Sequence, residues 1–112
     1  MNVKKEMVHS IMVEAMGAAR AASLKYLNEE LNGRDAFPCG FAWVDIVGIH
    51  GNSAIARELK QYGFRKMGAE LAWWNPAGLS VQNVDAKYAG AEAAMYVLRK
   101  HGLSAFVNSR LD

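Results

Sequence analysis

Residues 39–75 read CGFAWVDIVGIHGNSAIARELKQYGFRKMGAELAWWN, and this stretch decides the fold. From Phe41 to Ile49 both alternating sets of side chains are largely apolar, which indicates a central strand. Asn52 or Ser53 can cap a short helix that follows. Residues 65–74 then alternate cleanly from one side to the other, which predicts one half-exposed strand at the edge of a sheet.

The flanking segments predict two further helices and a third strand. Residues 3–31 contain no proline and many strong helix formers, so they predict a long first helix. Asn83 or Asp85 can cap a third helix that ends near His101. A short strand is expected to follow at residues 103–107.

Alternating elements with short links predict one small domain of the α+β or α/β class over residues 1–112. Three helices are expected to pack on a three-stranded sheet, in the order α-β-α-β-α-β. Crossover connections would make this sheet at least partly parallel.

Composition and charge narrow the classes of function. Thirteen basic residues against eleven acidic ones give a net charge of +2, which is weaker than the dense basic stripe typical of duplex-binding proteins. Cys39 is the single cysteine and excludes an internal disulfide, as in a reducing cytosol. Glu6, Glu14 and Arg20 interrupt the apolar run of a signal peptide. We therefore expect a cytoplasmic protein that does not enter a membrane.

The first helix carries two apolar stripes that face well apart. A helix that is apolar on two faces must be covered on both. The sheet accounts for one stripe, and either the third helix or a second copy of the chain covers the other. The second stripe predicts a homo-oligomer whose interface contains Val13, Met16, Leu24, Leu27 and Leu31.

The loop at the start of the second helix is the first candidate binding site. Free amides at a helix start attract anions, and glycine lets a phosphate approach the backbone. The loop contains His50, Gly51, Asn52 and Ser53, and Arg57 lies one turn into the helix. It matches neither the phosphate-loop pattern nor the dinucleotide fingerprint, so capping of the helix is the structural alternative.

The tryptophans are the second candidate. Because neighbouring side chains of a strand alternate, either Trp73 or Trp74 must be exposed, and Trp43 is expected in the core with the other. Exposed sheet aromatics can stack bases, while Arg65 and Lys66 hold a phosphate backbone. Together with the loop, the predicted binding set is His50, Gly51, Asn52, Ser53, Arg57, Arg65, Lys66 and Trp74.

No spacing typical of a metal site or a cofactor motif occurs in the sequence, so neither a metal nor a cofactor is predicted. The sequence likewise contains no catalytic motif, so no catalytic residue is predicted and the chain is interpreted as non-enzymatic. Asp45 and His50 are the best acid and base if the protein is instead a small enzyme.

Several fragments resemble a known set of proteins. These fragments are CGFAWV at 39–44, GNSAIARELKQYGF at 51–64, WWNPAGLSVQNVDAKYAGAEAA at 73–94 and NSRLD at 108–112. They resemble small uncharacterised proteins encoded by tailed bacteriophages. The resemblance implies a phage origin and a location in the cytoplasm of the infected bacterium. It carries no activity, so it implies no site residue.

These observations favour a non-enzymatic accessory protein that binds a nucleotide or single-stranded nucleic acid. One alternative is a protein–protein interaction module, either an inhibitor of a host factor or a structural oligomer. The other is the small enzyme using Asp45 and His50.

Overall fold

The computed structural model describes residues 3–112, with side chains described from residue 5 onward. Within this range the chain forms three helices and four strands. In chain order they are α1 (Val3–Glu30), β1 (Gly40–Val47), α2 (Ala54–Lys60), β2 (Phe64–Met67), β3 (Glu70–Trp74), α3 (Val84–Lys100) and β4 (Ser104–Leu111).

The strands form one antiparallel sheet in the order β2-β3-β1-β4. All eight residues of β1 pair with β4, from Gly40 opposite Leu111 to Val47 opposite Ser104. The expectation of a three-stranded, partly parallel sheet is therefore wrong. The fold is α+β, with helices on a fully antiparallel sheet.

The difference arises at Gly68, inside the segment that reads as one edge strand. Gly68 has a φ of 61°, and Met67 pairs with Glu70 across the turn Gly68-Ala69. A positive φ at the first central position of a two-residue turn suits glycine and closes a tight hairpin. Residues 64–74 therefore form two strands where the sequence predicts one.

The connectivity from β1 to β4 is that of a split βαβ arrangement. The link through α2 joins β1 to β2, yet β3 lies between them in the sheet. In the same way, α3 joins β3 to β4 across β1. This β-α-β-β-α-β order is the ferredoxin-like one, and α1 precedes it as an additional helix.

The helices form a layer on one face of the sheet. α3 packs on β1 and β4, and α1 packs chiefly on α3. The contact between α1 and α3 is close, because Ser23 Oγ donates a hydrogen bond of 2.7 Å to the Ala86 carbonyl. The largest buried apolar side chains include Phe64, Met12, Ile46, Leu59, Leu71, Leu98, Val8 and Val44.

The predicted interface stripe of α1 is only partly covered within the chain. Leu27 is buried and Leu31 is half-buried. Val13, Met16 and Leu24 are exposed, so the interface between copies stays a prediction for these three. Among residues 3–112, none of the helices combines the length and apolar character needed to cross a membrane.

Candidate functional site: the open face of the sheet

One face of the sheet carries no helix of the described chain, and we call it the open face. The buried residues Ala42, Val44 and Ile46 of β1 point toward the helices, so their neighbours in sequence point the other way. Cross-strand pairing then assigns the open face to Phe41, Trp43, Asp45, Val47, Arg65, Met67, Glu70, Ala72, Trp74, Ser104, Phe106, Asn108 and Arg110.

Two tryptophans stack at the centre of the open face. Trp43 of β1 lies opposite Trp74 of β3, with ring centroids 4.5 Å apart and planes inclined by 18°. Phe41 meets Trp74 edge-on at 6.0 Å. Trp74 is 37% exposed, whereas Trp73 is 5% exposed and packs against Phe64. The prediction that one of Trp73 and Trp74 is exposed is therefore confirmed, and the exposed one is Trp74. The expectation that Trp43 lies in the core is wrong, because Trp43 lies on the open face.

Cationic side chains lie against these aromatic rings. The Arg110 guanidinium carbon is 5.4 Å from the Phe41 centroid and 5.9 Å from that of Trp74. Lys87 reaches Phe41 from α3 at 5.1 Å. Arg99 lies 5.3 Å from the Phe106 ring. These distances are within the range of cation–π attraction, so the β4 side of the open face combines aromatic surface with positive charge.

Backbone hydrogen bonds hold two of these cations in place. Lys87 Nζ donates to the Gly40 carbonyl at 2.8 Å, and Arg99 Nε donates to the Ala105 carbonyl at 2.7 Å. Both donors come from α3, on the other side of the sheet. The helix layer therefore contributes positive charge to the margin of the open face.

A nearly buried carboxylate lies beside the tryptophans. Asp45 is 6% exposed, and its Oδ2 accepts hydrogen bonds from Trp43 Nε1 at 3.2 Å and from Asn108 Nδ2. No cation of the described chain forms an ion pair with Asp45. Within that range its Oδ1 receives no hydrogen bond, and it is not sealed from solvent. Asp45 therefore presents one fixed oxygen to the open face.

The register arranges the open face in rows across the sheet. Trp43, Trp74 and Asn108 form the tryptophan row. Asp45 lies between Ala72 and Phe106 in the next row, which we call the carboxylate row. Successive rows are roughly 7 Å apart, since two residues of a strand advance by about that distance.

The predicted binding set divides between two surfaces. Trp74 and Arg65 lie on the open face. Lys66 points the other way and lines a pocket of about 290 Å³ together with His50, Gly51, Asn52 and Glu70. Ser53 is the N-cap of α2, and Arg57 lies in the last turn of this short helix with its side chain exposed.

The bonding within the 50–53 loop matches its structural alternative, the capping of a helix. Ser53 Oγ accepts from the Ala56 amide at 3.2 Å and so caps α2. His50 Nδ1 accepts from the Asn52 amide at 3.1 Å, and Lys60 Nζ donates to the Gly51 carbonyl at 2.8 Å. The polar groups of the loop thus form hydrogen bonds with one another and with α2, a helix of seven residues.

The structure does not bring together the acid and base candidates, Asp45 and His50. Asp45 bonds to Trp43 and Asn108, while His50 bonds to Asn52, so no hydrogen bond joins Asp45 to His50 within the described chain. Across residues 3–112 no group of three or more His, Cys, Asp and Glu side chains is placed to hold a metal ion.

A groove between α1 and α3 has a largely acidic lining, in contrast to the positive charges beside the open face. It encloses about 330 Å³ and is lined by Tyr26, Tyr96 and the acidic residues Glu29, Glu30 and Glu92, among others. Desolvation, together with the charges of Asp85 and Glu30, raises the pKa of Tyr26. The lining carries three carboxylates against one ammonium group, that of Lys25, and this excess of negative charge disfavours a phosphate-bearing ligand.

Sequence reasoning missed Asn108 and Arg110 because the last strand was expected to end at Val107. Phe106 lies inside that expected strand but was not singled out as a candidate. No family model, curated protein or solved structure matches the chain. The bacteriophage resemblance therefore stays a prediction, and function has to be argued from the open face.

Proposed function

We propose that this protein binds single-stranded nucleic acid by stacking bases on the open face of its sheet. The stacked pair Trp43 and Trp74, uncovered at the centre of a four-stranded sheet within the described chain, carries the proposal. Aromatic side chains on such a sheet offer flat surfaces to unpaired bases, and stacking accepts every base because each has a π face.

The charges near the open face complement a phosphate backbone. Arg110 and Arg65 lie on it, and Lys87 and Arg99 reach its margin from α3. A strand laid along β4 would keep its phosphates near Arg110 and Arg99 while its bases turn toward the tryptophans. A net charge of +2 suits this small footprint better than a duplex footprint, and a duplex hides the base faces that the aromatics would contact.

The row spacing sets how many bases fit. Phe41, the tryptophan row and Phe106 offer aromatic surface at successive levels along β1 and β4. These levels are roughly 7 Å apart, a distance that one nucleotide of an extended strand can span. Two or three neighbouring bases would therefore contact the open face, and a nucleotide alone would occupy one level.

The test measures binding of a fluorescent RNA of roughly eight nucleotides of mixed sequence, a length within the usual site size of one small domain. We expect Trp74→Ala to weaken binding by about tenfold or more, because stacking contributes about 1–3 kcal/mol per base. Tyr96→Ala is the matched control, since Tyr96 is exposed in the acidic groove. Absence of binding, or equal loss in both variants, would refute the proposal.

A second test concerns charge. Arg110→Gln should weaken binding and reduce its dependence on salt, because fewer counterions are released. Arg20→Gln is the control, since Arg20 is exposed on α1 and carries the same charge. Identical salt dependence in the two variants would contradict a phosphate contact at β4.

A second copy of the chain is the alternative occupant of the open face. Met67 and Phe106 are exposed there, and large exposed apolar side chains also mark protein interfaces. In that case Trp74→Ala would convert a dimer to a monomer in light scattering and leave RNA binding absent throughout. The proposed setting of the function is the cytoplasm of an infected bacterium, as the phage resemblance implies.

A further inference from the structure

We infer that Asp45 makes the open face selective for guanine. The inference rests on the proposed binding of single-stranded nucleic acid and adds a base preference to it. Stacking on Trp43 and Trp74 accepts any base, so a preference needs a polar group fixed beside the stack. Among the described open-face side chains, Asp45 is the acid bonded directly to a stacking ring.

Asp45 is held in one orientation by two donors. Trp43 Nε1 and Asn108 Nδ2 both donate to Oδ2, from a ring on the same strand and an amide on β4. Two hydrogen bonds on one oxygen leave it little capacity for a third. Oδ1 receives no hydrogen bond within the described chain and is not sealed from solvent, so it keeps its accepting capacity. The carboxylate is thus a preorganised acceptor at the edge of the tryptophan stack.

The side chains on the two sides of Asp45 differ in exposure, and the more exposed side is that of β4. The neighbours of Asp45 in the carboxylate row are Ala72 on one side and Phe106 on the other. Ala72 is the smallest side chain of the open face and is fully buried among its taller neighbours. Phe106 is 48% exposed and offers a second stacking surface. A base stacked at this level would turn its Watson–Crick edge toward Oδ1.

Guanine is the base whose edge suits a single fixed carboxylate oxygen. Its N1–H and N2 amino group are adjacent donors that can converge on Oδ1. Cytosine and adenine each place an acceptor nitrogen beside their amino group, and that lone pair faces the carboxylate. Uracil flanks its one N–H with two carbonyl oxygens. The negative oxygen therefore attracts guanine and disfavours uracil most strongly.

The decisive experiment varies the base and leaves the protein intact. Three RNAs of roughly eight nucleotides carry uridine throughout, or one central guanosine, or inosine at that position. Inosine lacks the N2 amino group but keeps N1–H, so it removes one donor alone. We expect guanosine to bind at least about fivefold more tightly than uridine, with inosine between them. Equal affinity for guanosine and inosine would overturn the inference.

Two charge-matched variants then assign the preference to Asp45. Asp45→Asn replaces one oxygen by an amino donor, so the ratio of guanosine to inosine affinity should fall to about one. Glu70→Gln removes the same charge from the outer margin of the open face, and this ratio should persist. A ratio that persists in Asp45→Asn would overturn the inference. Circular dichroism of each variant reports whether it is folded.

The outcomes separate this inference from the proposed function. If all three RNAs bind equally and Trp74→Ala weakens each of them, the open face binds nucleic acid and Asp45 does not select the base. If none of the RNAs binds the wild-type protein, both the proposed function and the guanine preference are wrong.

Discussion

The close contact between α1 and α3 predicts that replacing Gly90 by alanine destabilises the protein. A Cβ added at Gly90 would lie 2.3 Å from Ser23 Oγ and 2.9 Å from the Ala19 carbonyl oxygen. The carbonyl belongs to the backbone of α1 and cannot turn away. The Ser23 hydroxyl would have to leave its hydrogen bond to the Ala86 carbonyl. Gly90→Ala therefore forces the two helices apart at their closest approach.

The magnitude follows from three contributions. Overpacking of a tight contact costs about 1–3 kcal/mol, and we take the middle of that range because one of the clashing atoms is backbone. Loss of the Ser23 hydrogen bond adds about 1 kcal/mol. Alanine is a better helix former than glycine by about 1 kcal/mol, which opposes both. The net expectation is a loss of about 2 kcal/mol in the free energy of unfolding.

Gly17 provides the matched control on the outer surface of α1. A Cβ there would meet no atom within 4 Å, so Gly17→Ala gains helix propensity without a clash. We expect it to stabilise the protein by about 0.5–1 kcal/mol. Urea unfolding followed by circular dichroism measures both variants against the wild type. If Gly90→Ala were stabilising like Gly17→Ala, the described approach of the helices would be incorrect.

Three further predictions concern pH, assembly and capping. Hydrogen bonds from His101 and Lys100 lower the pKa of Glu14. The ionised Glu14 carboxylate therefore stabilises the fold fully above the ordinary glutamate pKa, and this stabilisation is lost as the pH falls through the lowered pKa. The free energy of unfolding should differ between Glu14→Gln and wild type at pH 7 but not in strong acid. Leu24→Glu should dissociate any oligomer formed through the exposed stripe of α1 while helix content is kept, and light scattering that finds only a monomer of the wild type would exclude this interface. Asn83 Oδ1 accepts from the Ala86 amide at 2.8 Å, so Asn83→Ala should lower the free energy of unfolding by about 1–2 kcal/mol in the same urea assay.

Local chemistry made part of the fold predictable. Ser53 and Asn83 were among the candidate caps, and both accept the amide hydrogen bond that a cap requires. The long first helix was also found from its composition, and it runs over Val3–Glu30. These features depend on residues close together in sequence. The exposure of Trp74 belongs with them, because alternation along a strand decides it once Trp73 is buried.

The end of β4 lay beyond such reasoning. Residues 108–111 read Asn-Ser-Arg-Leu and show no apolar alternation, so the strand was expected to stop at Val107. Pairing with β1 extends it to Leu111, and the Asp112 amide still donates to the Cys39 carbonyl at 3.1 Å. Hydrogen bonds to β1 thus stabilise a strand at residues whose own sequence does not favour one. Asn108 and Arg110 reach the open face only through this long-range pairing.

The turn at Gly68-Ala69 links the error in the fold to the position of the site. A single strand over residues 65–74 would have placed Met67 on the same face as Leu71 and Trp73. A two-residue turn reverses that parity, so Met67 shares a face with Glu70 and Trp74 instead. The same turn brings β3 between β1 and β2, and only there does Trp74 lie opposite Trp43. Trp74 of the stacked pair that carries the proposed function therefore belongs to a strand that begins directly after the turn of this hairpin, and that turn contains one glycine with a positive φ.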